Sequence, residues 1–490
     1  MAGTRIDTDV VVVGGGNAGF TAAHAATERG RRVVVLEKGP ADAAGGNSYF
    51  TAGATRIAHD GLDDLLSIVE PDDRHARAVV PPYTSDEYAA DLARVTGGRN
   101  DPSLTAVLVA EADAAVRWLR GLGMRYRLLY ERQAYERPDG RLVFFGGLHV
   151  GNVDGGVGLM ADHTRIAERL GVEVRYGTPA TELVADGRRV VGVRAGGGDE
   201  PLEVMAASVV LAAGGFEADA ELRRRHLGPG WERARVRGTP LNTGDMITAA
   251  IRVGAATTGD WAGAHSVQWD ARGGADAGDR QLTNRLTRQS YPLGILVNAE
   301  GERFVDEGAD FRNYTYARFG RAVLEQPGGI AFQLFDATTR PLLRTEEYDM
   351  PGASVEVADT IADLARRIGV DAERLAATVA AFNASIDVAV PFDPAVKDGR
   401  RAALALPKSN WAVALETPPF YAFAVTCGIT FTFGGLRGDV DGRVLDSAGA
   451  PIEGLFVCGE MLGGLFWGNY PGGTGLAAGM VFGRRAGAIA

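Results

Sequence analysis

The stretch VVVGGGNAGF, residues 11–20, decides the fold of this chain. Its apolar start, Val10 to Val13, predicts a buried parallel strand, and the residues from Phe20 to Glu28 predict the helix that follows. The glycines between them fit the pattern G-x-G-x-x-G, in which Gly14 permits the turn, Gly16 lets the backbone approach a phosphate and Gly19 lets the helix lie close to the sheet. Free N–H groups and the positive dipole end at a helix start attract an anion. The stretch therefore predicts a site for the pyrophosphate of a dinucleotide.

A second strand, predicted from Arg32 to Leu36, ends in an acidic residue, Glu37. A carboxylate about twenty residues beyond the glycines can accept hydrogen bonds from a ribose hydroxyl. Glycine turns between a strand and a helix are common, so the motif indicates dinucleotide binding only together with the flanking strands and this carboxylate. The pattern up to this point fits NAD as well as FAD.

Later segments favour FAD. Gly45 to Ser48 and Thr51 to Arg56 are rich in glycine and hydroxyl groups, which suits a second phosphate or a ribityl chain, although an ordinary loop is the alternative. Val209 to Phe216 predicts another buried strand that ends in a glycine turn. Near the C-terminus, GLFVCGE at 454–460 is followed by NYPGGTG at 469–475. We expect both ends of the chain to meet at one dinucleotide.

Together these motifs resemble those of the FAD-dependent fumarate reductase/succinate dehydrogenase flavoprotein superfamily, and most closely those of the soluble tricarballylate dehydrogenase branch. The resemblance covers essentially the whole chain. It implies an α/β fold with a Rossmann-like FAD-binding domain of the two-dinucleotide-binding type and an inserted α+β capping domain. The predicted FAD is non-covalent, because residues 45–56 contain no histidine for covalent attachment.

The motifs and the resemblance also predict the residues that contact FAD. They are Gly14, Gly16, Asn17, Ala18, Gly19, Glu37, Lys38, Gly45, Gly46, Asn47, Ser48, Thr51, Ala52, Gly53, Gly155, Gly156, Ala180, Ala213, Gly214, Gly215, Asp245, Gly459, Glu460, Gly473, Thr474, Gly475 and Leu476.

The domain organisation follows from where the FAD motifs stop and resume. The sequence predicts an FAD-binding domain at 1–261, a capping or substrate domain at 262–432 and the C-terminal part of the FAD-binding domain at 433–490. Helices are expected at 361–369 and 371–386, and a strand at 420–433. An insertion whose ends return to one domain is suited to be a lid that keeps water away from the reaction.

Two residues of the predicted capping domain are candidates for catalysis. His265 matches the position of a substrate-carboxylate-binding histidine in fumarate reductases, with a hydrogen-bonded histidine in a domain seam as the alternative. Gly301 to Glu307 predicts a turn and strand, and Arg312 follows it about one residue from the position of the superfamily's catalytic arginine. Arg312 could bind a carboxylate in bidentate fashion or take part in proton transfer, and a structural salt bridge is the alternative.

Tyr470 is where the chain departs from fumarate reductases, which carry an arginine just before the glycine pair near the C-terminus. Tyrosine followed by Pro-Gly resembles the related 3-ketosteroid dehydrogenases, in which the tyrosine hydroxyl polarises a ketone oxygen. Thr430 and Phe431 also stand where fumarate reductases have histidines. Succinate and fumarate are therefore not favoured as substrates.

The resemblance implies two-electron oxidation of a C–C bond next to a carboxylate or carbonyl, or its reverse, with hydride going to flavin N5 and a proton to the protein. Tyr470, Arg312, His265 and Thr432 are the candidates for enolate stabilisation or proton transfer. The function predicted is that of a tricarballylate dehydrogenase-like enzyme. The alternatives are an enone-forming enzyme similar to 3-ketosteroid dehydrogenase and a flavin-bearing electron-transfer subunit, which would have a shallow, apolar surface over the flavin.

Composition limits the partners. A formal net charge of −11 and a pI near 5.3 argue against nucleic acid or an anionic membrane surface as a partner. We find no apolar stretch long enough to span a membrane and no signal-peptide core, so we expect a cytoplasmic protein. Two cysteines, Cys427 and Cys458, exclude a cysteine-ligated iron–sulfur cluster in this chain, and no metal site is predicted. The expected partners are a small carboxylate or ketone substrate and a separate electron-acceptor protein or quinone.

Overall fold

The structure is a computed structural model that describes residues 4–196, 202–273 and 278–490. The strands are β1 (Thr4–Val13), β2 (Val33–Leu36), β3 (Ala54–Thr55), β4 (Ala78–Val79), β5 (Tyr126–Leu128), β6 (Ala134–Glu136), β7 (Leu142–Phe144), β8 (Val150–Asn152), β9 (Glu173–Arg175), β10 (Ala180–Asp186), β11 (Arg189–Ala195), β12 (Leu202–Leu211), β13 (Arg235–Val236), β14 (Thr257–Asp270), β15 (Ile295–Asn298), β16 (Ala331–Phe335), β17 (Val355–Ala358), β18 (Phe420–Leu436), β19 (Arg443–Leu445) and β20 (Pro451–Val457).

The helices are α1 (Asn17–Glu28), α2 (Gly46–Tyr49), α3 (Leu62–Leu65), α4 (Ser85–Thr96), α5 (Pro102–Gly121), α6 (Tyr130–Gln133), α7 (Gly155–Leu170), α8 (Ala220–His226), α9 (Asp245–Arg252), α10 (Tyr316–Leu324), α11 (Thr345–Tyr348), α12 (Ile361–Ile368), α13 (Ala372–Ala384) and α14 (Thr474–Ile489). Within the described residues, none of them is both long and apolar enough to cross a membrane.

Parallel strands form the centre of the first sheet, in the order β20-β12-β1-β2-β9. Val10 to Val13 of β1 are all buried, as expected for a parallel strand whose two faces are both covered. The antiparallel strands β10, β11 and β19 extend this sheet. The arrangement confirms the predicted α/β fold, although β1 begins six residues earlier than the apolar run.

The two ends of the chain meet through α1 and α14. Gly479, Gly483 and Gly487 recur every four residues on one face of α14. A Cβ atom on Gly487 would lie 2.1 Å from the carbonyl oxygen of Ala22, and one on Gly483 would lie 2.6 Å from that of Ala18. No side chain fits between the helices, so these glycines allow close packing. The expectation that the chain ends come together is confirmed.

A second sheet is organised around the long strand β18, which pairs antiparallel with β14, β16 and β17. It has an apolar core of its own that includes Ile295, Leu334, Leu375 and Phe382, with α12 and α13 packed there. The predicted helices form at 361–368 and 372–384. The predicted domain boundaries, after residues 261 and 432, both fall inside strands, β14 and β18. The division into domains stays a prediction.

The segment from Gly301 to Glu307 forms the predicted turn, but the predicted strand is wrong. Gly301 has a φ of +77°, and after it only Arg303 makes an isolated bridge, with Val297. The reason lies in the side chains. The Glu307 carboxylate accepts a hydrogen bond from the backbone N–H of Leu296 at 2.8 Å and pairs with the Arg303 guanidinium. Side-chain contacts thus replace strand pairing here.

Candidate active site

A long pocket opens at the carboxyl ends of the central parallel strands. Gly14 follows β1, Glu37 follows β2, Ala212 follows β12, and Gly459 lies two residues beyond β20, and all four line the pocket. In open α/β sheets, ligands bind at this edge.

The glycines of this edge fit a dinucleotide. Gly14 has a φ of +108°, and a Cβ atom there would lie 2.3 Å from the carbonyl oxygen of Ala212, so only glycine allows the turn. A Cβ on Gly46 would meet nothing within 4 Å, so the chain there borders free space. Gly16 precedes α1 and Gly473 precedes α14, which brings two helix N-termini to the pocket. Backbone donors and helix dipoles are suited to phosphate and flavin oxygens.

Glu37 supports the glycine turn as well as bordering the pocket. Its Oε2 accepts a hydrogen bond from the N–H of Gly15 at 2.8 Å, and its Oε1 accepts one from Gly39 at 2.7 Å. Burial raises the pKa of Glu37, and these two N–H donors oppose that effect. A carboxylate oxygen has two lone pairs, so a ribose hydroxyl can still bind.

Most of the predicted FAD contacts line this one pocket. The lining residues are Gly14, Gly16, Asn17, Ala18, Glu37, Lys38, Gly46, Asn47, Ser48, Thr51, Ala52, Ala180, Ala213, Gly214, Asp245, Gly459, Glu460, Gly473, Gly475 and Leu476.

The other predicted contacts, which do not line the pocket, are Gly19, Gly45, Gly53, Gly155, Gly156, Gly215 and Thr474. Their positions explain why glycine is needed at several of them. A Cβ on Gly19 would lie 1.9 Å from the carbonyl oxygen of Gly14, and one on Gly156 would lie 2.3 Å from that of Ser48. These glycines let α1 and α7 pack against the lining loops, and a direct contact with FAD stays a prediction for them.

The predicted catalytic residues Tyr470, Arg312, His265 and Thr432 all line the same pocket. The Tyr470 hydroxyl hydrogen-bonds to the hydroxyl of Tyr316, the first residue of α10, which the sequence analysis did not identify. The His265 ring centre lies 4.9 Å from that of Tyr470 and 5.0 Å from that of Tyr316. One wall thus carries an imidazole and two phenol hydroxyls.

His265 is buried and neutral. Burial, with a smaller contribution from the nearby charge of Arg237, lowers the pKa of His265 well below its usual value. Among the described residues, neither ring nitrogen has a hydrogen-bond partner. Buried polar atoms of this kind are usually paired, so His265 is suited to hydrogen-bond a ligand.

The structure does not support the alternative of a structural salt bridge at Arg312. Its Nη1 donates to Gln289 Oε1 at 3.3 Å, and its Nη2 has no partner within the described part of the chain. The nearby carboxylate of Asp310 pairs with Arg94 and Lys397 instead. The guanidinium of Arg312 therefore has a donor available to a ligand.

Arg237 is a second pocket arginine, and the sequence analysis missed it. It directly follows β13, and its backbone N–H donates to the carbonyl of Ile429 on β18 at 2.8 Å. Its Nη1 donates to Thr430 Oγ1 at 2.8 Å, and its Nε donates to Asn284 Oδ1 at 3.1 Å. Nothing in the sequence around it distinguishes Arg237 from a surface arginine. Asn284 and Gln289, which also line the pocket, were missed for the same reason.

Two carboxylates, Glu217 and Glu460, lie close together beside Thr432. A Cβ on Gly215 would lie 2.1 Å from Glu460 Oε1 and 2.8 Å from Glu217 Oε2. Burial and the neighbouring Glu217 raise the pKa of Glu460 well above its usual value, and burial raises the pKa of Glu217 to about 6. The pair therefore keeps a proton at neutral pH. Glu217 was not among the predicted site residues, although its position directly after the predicted glycine turn could have indicated that it lies near the pocket.

Thr432 contacts this pair. Its backbone N–H donates to Glu460 Oε1 at 2.8 Å, and its hydroxyl lies 3.2 Å from the same oxygen. The hydroxyl thus has a protein partner already, and the catalytic role of Thr432 stays a prediction.

Comparison with known proteins agrees with this geometry. A family model described as an FAD binding domain matches residues 9–476. The chain is 31% identical over 519 residues to the urocanate reductase of Eggerthella lenta, a match that covers 100% of this chain and 75% of that protein. The chain belongs to the FAD-dependent fumarate reductase/succinate dehydrogenase flavoprotein superfamily. This flavoprotein is also 30% identical to the 4-oxocyclohexanecarboxylate 2-dehydrogenase of Sinomonas cyclohexanicum, over 99% of this chain and 93% of that protein.

A solved structure supports the assignment. The open conformation of a flavocytochrome c3 fumarate reductase matches with a TM-score of 0.73 and 26% identity, covering 99% of this chain and 78% of that one. The flavoprotein is therefore an FAD-dependent oxidoreductase that acts on CH–CH groups or the corresponding C=C bonds. These matches do not single out the tricarballylate dehydrogenase branch.

The cofactor should be bound without a covalent link. We expect the purified flavoprotein to be yellow and to release intact FAD on denaturation, because residues 45–56 contain no histidine. Precipitation with acid followed by chromatography of the supernatant checks this. Flavin that stays with the precipitated chain would contradict it.

The buried carboxylate pair predicts a pH dependence of stability. Folding raises the pKa of Glu217 and of Glu460, so the folded protein binds more protons, and its stability falls as the pH rises from about 4.5 through about 6 and beyond. Glu217→Gln imitates the protonated acid and removes the repulsion. Relative to wild type, the variant should gain stability of the order of 1–2 kcal/mol between pH 5 and pH 8, about the value of one pKa unit. Urea unfolding of the FAD-saturated proteins at both pH values measures the change, and a pH-independent difference would contradict the prediction.

Proposed function

We propose that this flavoprotein oxidises a saturated C–C bond next to a carbonyl group in a small carboxylate-bearing substrate, forming an enone, or catalyses the reverse reaction. The observation that carries the proposal is the convergence of Tyr470, His265 and Arg312 on the pocket that the glycine turns also line. FAD, when bound, supplies or accepts the hydride equivalent.

Tyr470 is suited to polarise the substrate carbonyl. Burial, followed by the neighbouring Tyr316, raises the pKa of Tyr470 well above its usual value, so the hydroxyl stays protonated and can donate. A hydrogen bond to the carbonyl oxygen strengthens as enolate charge develops, which lowers the barrier to removal of the adjacent proton. Tyr316 fixes the direction of that hydroxyl through their hydrogen bond.

His265 and Arg312 line the same pocket as Tyr470 and add two further hydrogen-bonding side chains. The neutral imidazole can hydrogen-bond a substrate oxygen, and the Nη2 of Arg312, which has no partner among the described residues, can donate to a carboxylate. We propose these two groups, with Tyr470, for substrate binding and proton transfer.

The polarity of the pocket argues against an electron-transfer subunit without a substrate. That alternative predicts a shallow, apolar surface, whereas the polar side chains of Arg237, His265 and Arg312 are buried and line the pocket. A surface that only passes electrons has no use for two buried arginines.

Charge counting favours an oxo acid over a tricarboxylate. A tricarballylate-like substrate would call for three cationic partners. Arg237 and Arg312 lack carboxylate partners in the described structure, but Arg132, which also lines the pocket, pairs with Glu346 and Glu347. The relative that acts on 4-oxocyclohexanecarboxylate, a ketone with one carboxylate, supports the same choice. Tricarballylate-like specificity remains the second candidate.

Anaerobic bleaching of the flavin absorption tests the proposal. The panel contains 4-oxocyclohexanecarboxylate, succinate, tricarballylate and cyclohexanone, and reoxidation of the reduced enzyme by fumarate and urocanate tests the reverse direction. We expect the oxo acid to bleach the flavin fastest. Bleaching by none of these compounds, together with no reoxidation by the unsaturated ones, would contradict the proposal.

We also propose a cytoplasmic location and a separate electron-acceptor protein or quinone. Cys427 and Cys458 are both buried and unpaired within the described structure, which fits a reducing compartment.

A further inference from the structure

Arg237 has unusual surroundings for a buried arginine. Its side chain is held by neutral partners, Thr430 and Asn284, and no carboxylate of the described residues lies within ion-pair distance. Three other buried arginines have a carboxylate within ion-pair distance: Arg56 has Asp91, Arg288 has Asp270 and Arg344 has Glu347. A buried charge without a counter-ion is costly to the folded protein.

This guanidinium lines the pocket, and although Nη1 hydrogen-bonds to Thr430 and Nη2 to Asn284, each of these two nitrogens carries a second N–H. Arg237 lines it together with His265, Tyr316 and Tyr470, all of which are uncharged. A ligand anion would therefore be the counter-ion that the described residues do not provide. The fork of a guanidinium suits the two oxygens of a carboxylate.

We propose that Arg237 binds the carboxylate of the substrate, with Asn284 and Thr430 as positioning residues that hold its guanidinium. The inference rests on the proposed function and names the group that recognises the acid. The guanidinium reaches the pocket from the residue directly after β13, whereas the proposed carbonyl donor is Tyr470. Tyr470 is then free for the carbonyl, so the substrate carries both groups.

Ligand titrations of the oxidised holoenzyme test this inference without turnover. The probes are 4-oxocyclohexanecarboxylate and its methyl ester, followed by the change in flavin absorption. Arg237→Gln should weaken binding of the acid about 10- to 150-fold, as expected for loss of a hydrogen bond to a charged group, and should change binding of the ester less than about threefold. Thr430→Val, which removes one support of the guanidinium, should weaken acid binding by a smaller factor and also spare the ester.

Arg235→Gln is the matched control. It makes the same change of charge two residues earlier in the chain, on β13, at a residue that does not line the pocket, and should leave the affinities for acid and ester at wild-type values.

The outcomes separate this inference from the proposed function. If Arg237→Gln weakens acid and ester equally, Arg237 is structural and the inference is overturned. It is also overturned if the wild type binds the acid, succinate and tricarballylate no better than the ester. Bleaching by the ester as fast as by the acid would be consistent with the proposed C–C oxidation and would contradict a carboxylate-binding subsite. Arg237-dependent binding of the acid without bleaching would support the subsite and contradict the proposed function.

Discussion

Tyr470→Phe should slow flavin reduction by the substrate roughly a hundredfold or more, the loss typical for removal of an oxyanion donor. The change keeps the ring, which packs against His265, Phe431 and Phe466, and removes only the hydroxyl. FAD affinity and thermal stability should stay near wild type. Anaerobic stopped-flow measurement of the flavin absorption gives the rate.

Tyr316→Phe is the matched control, because it removes the partner hydroxyl and leaves the proposed donor in place. We expect a smaller loss, since Tyr470 keeps its donor and loses only its orientation. Equal rates for wild type and Tyr470→Phe would make the tyrosine a packing residue and contradict the enolate model. Tyr470→Arg gives the converse test, because a gain of fumarate or succinate activity would show that this position helps to set the substrate class.

Glu37→Ala should lower the affinity for FAD by about one to two orders of magnitude, the range for loss of a hydrogen bond to a charged group. The structure adds a second reason for the loss. The carboxylate also accepts the backbone N–H groups of Gly15 and Gly39, so the variant loses a support of the turn itself. Titration of the apoprotein with FAD, followed by flavin fluorescence, measures the dissociation constant.

Lys38→Ala is a useful comparison with Glu37→Ala. In the wild type the Lys38 Nζ donates to Asp245 Oδ2 at 2.7 Å and supports no part of the glycine turn, so the effect of Lys38→Ala on FAD affinity should be smaller. An unchanged affinity in Glu37→Ala would mean that the carboxylate contributes neither a ribose contact nor support of the turn that FAD needs.

The sequence predicts the cofactor half of the molecule well because that half is built from local patterns. A strand, a glycine turn and a helix are contiguous at residues 10–28, and steric limits at Gly14 and Gly19 leave glycine as the residue that fits. The meeting of the chain ends follows from the same kind of motif repeated near the C-terminus.

The substrate half is harder to predict because its residues come together through tertiary contacts. Arg237 reaches the pocket only because β13 pairs with β18, and Tyr316 meets Tyr470 across 154 residues of sequence. Neither residue lies in a local sequence pattern that would predict its position in the pocket. The domain boundaries are also hard to predict from sequence. The strand β14 runs through the first predicted boundary and β18 runs through the second, so no loop marks either of them.

Analysis of the anaerobic reaction product tests the central claim most directly. The flavoprotein is mixed without oxygen with the compound of the panel that bleaches it fastest, and the product is identified by mass spectrometry and NMR. The account predicts one molecule of product per flavin reduced, with two hydrogen atoms fewer than the substrate and a new double bond next to the carbonyl. A product that has gained oxygen or lost an amine, or flavin reduction with the C–C bond unchanged, would contradict it.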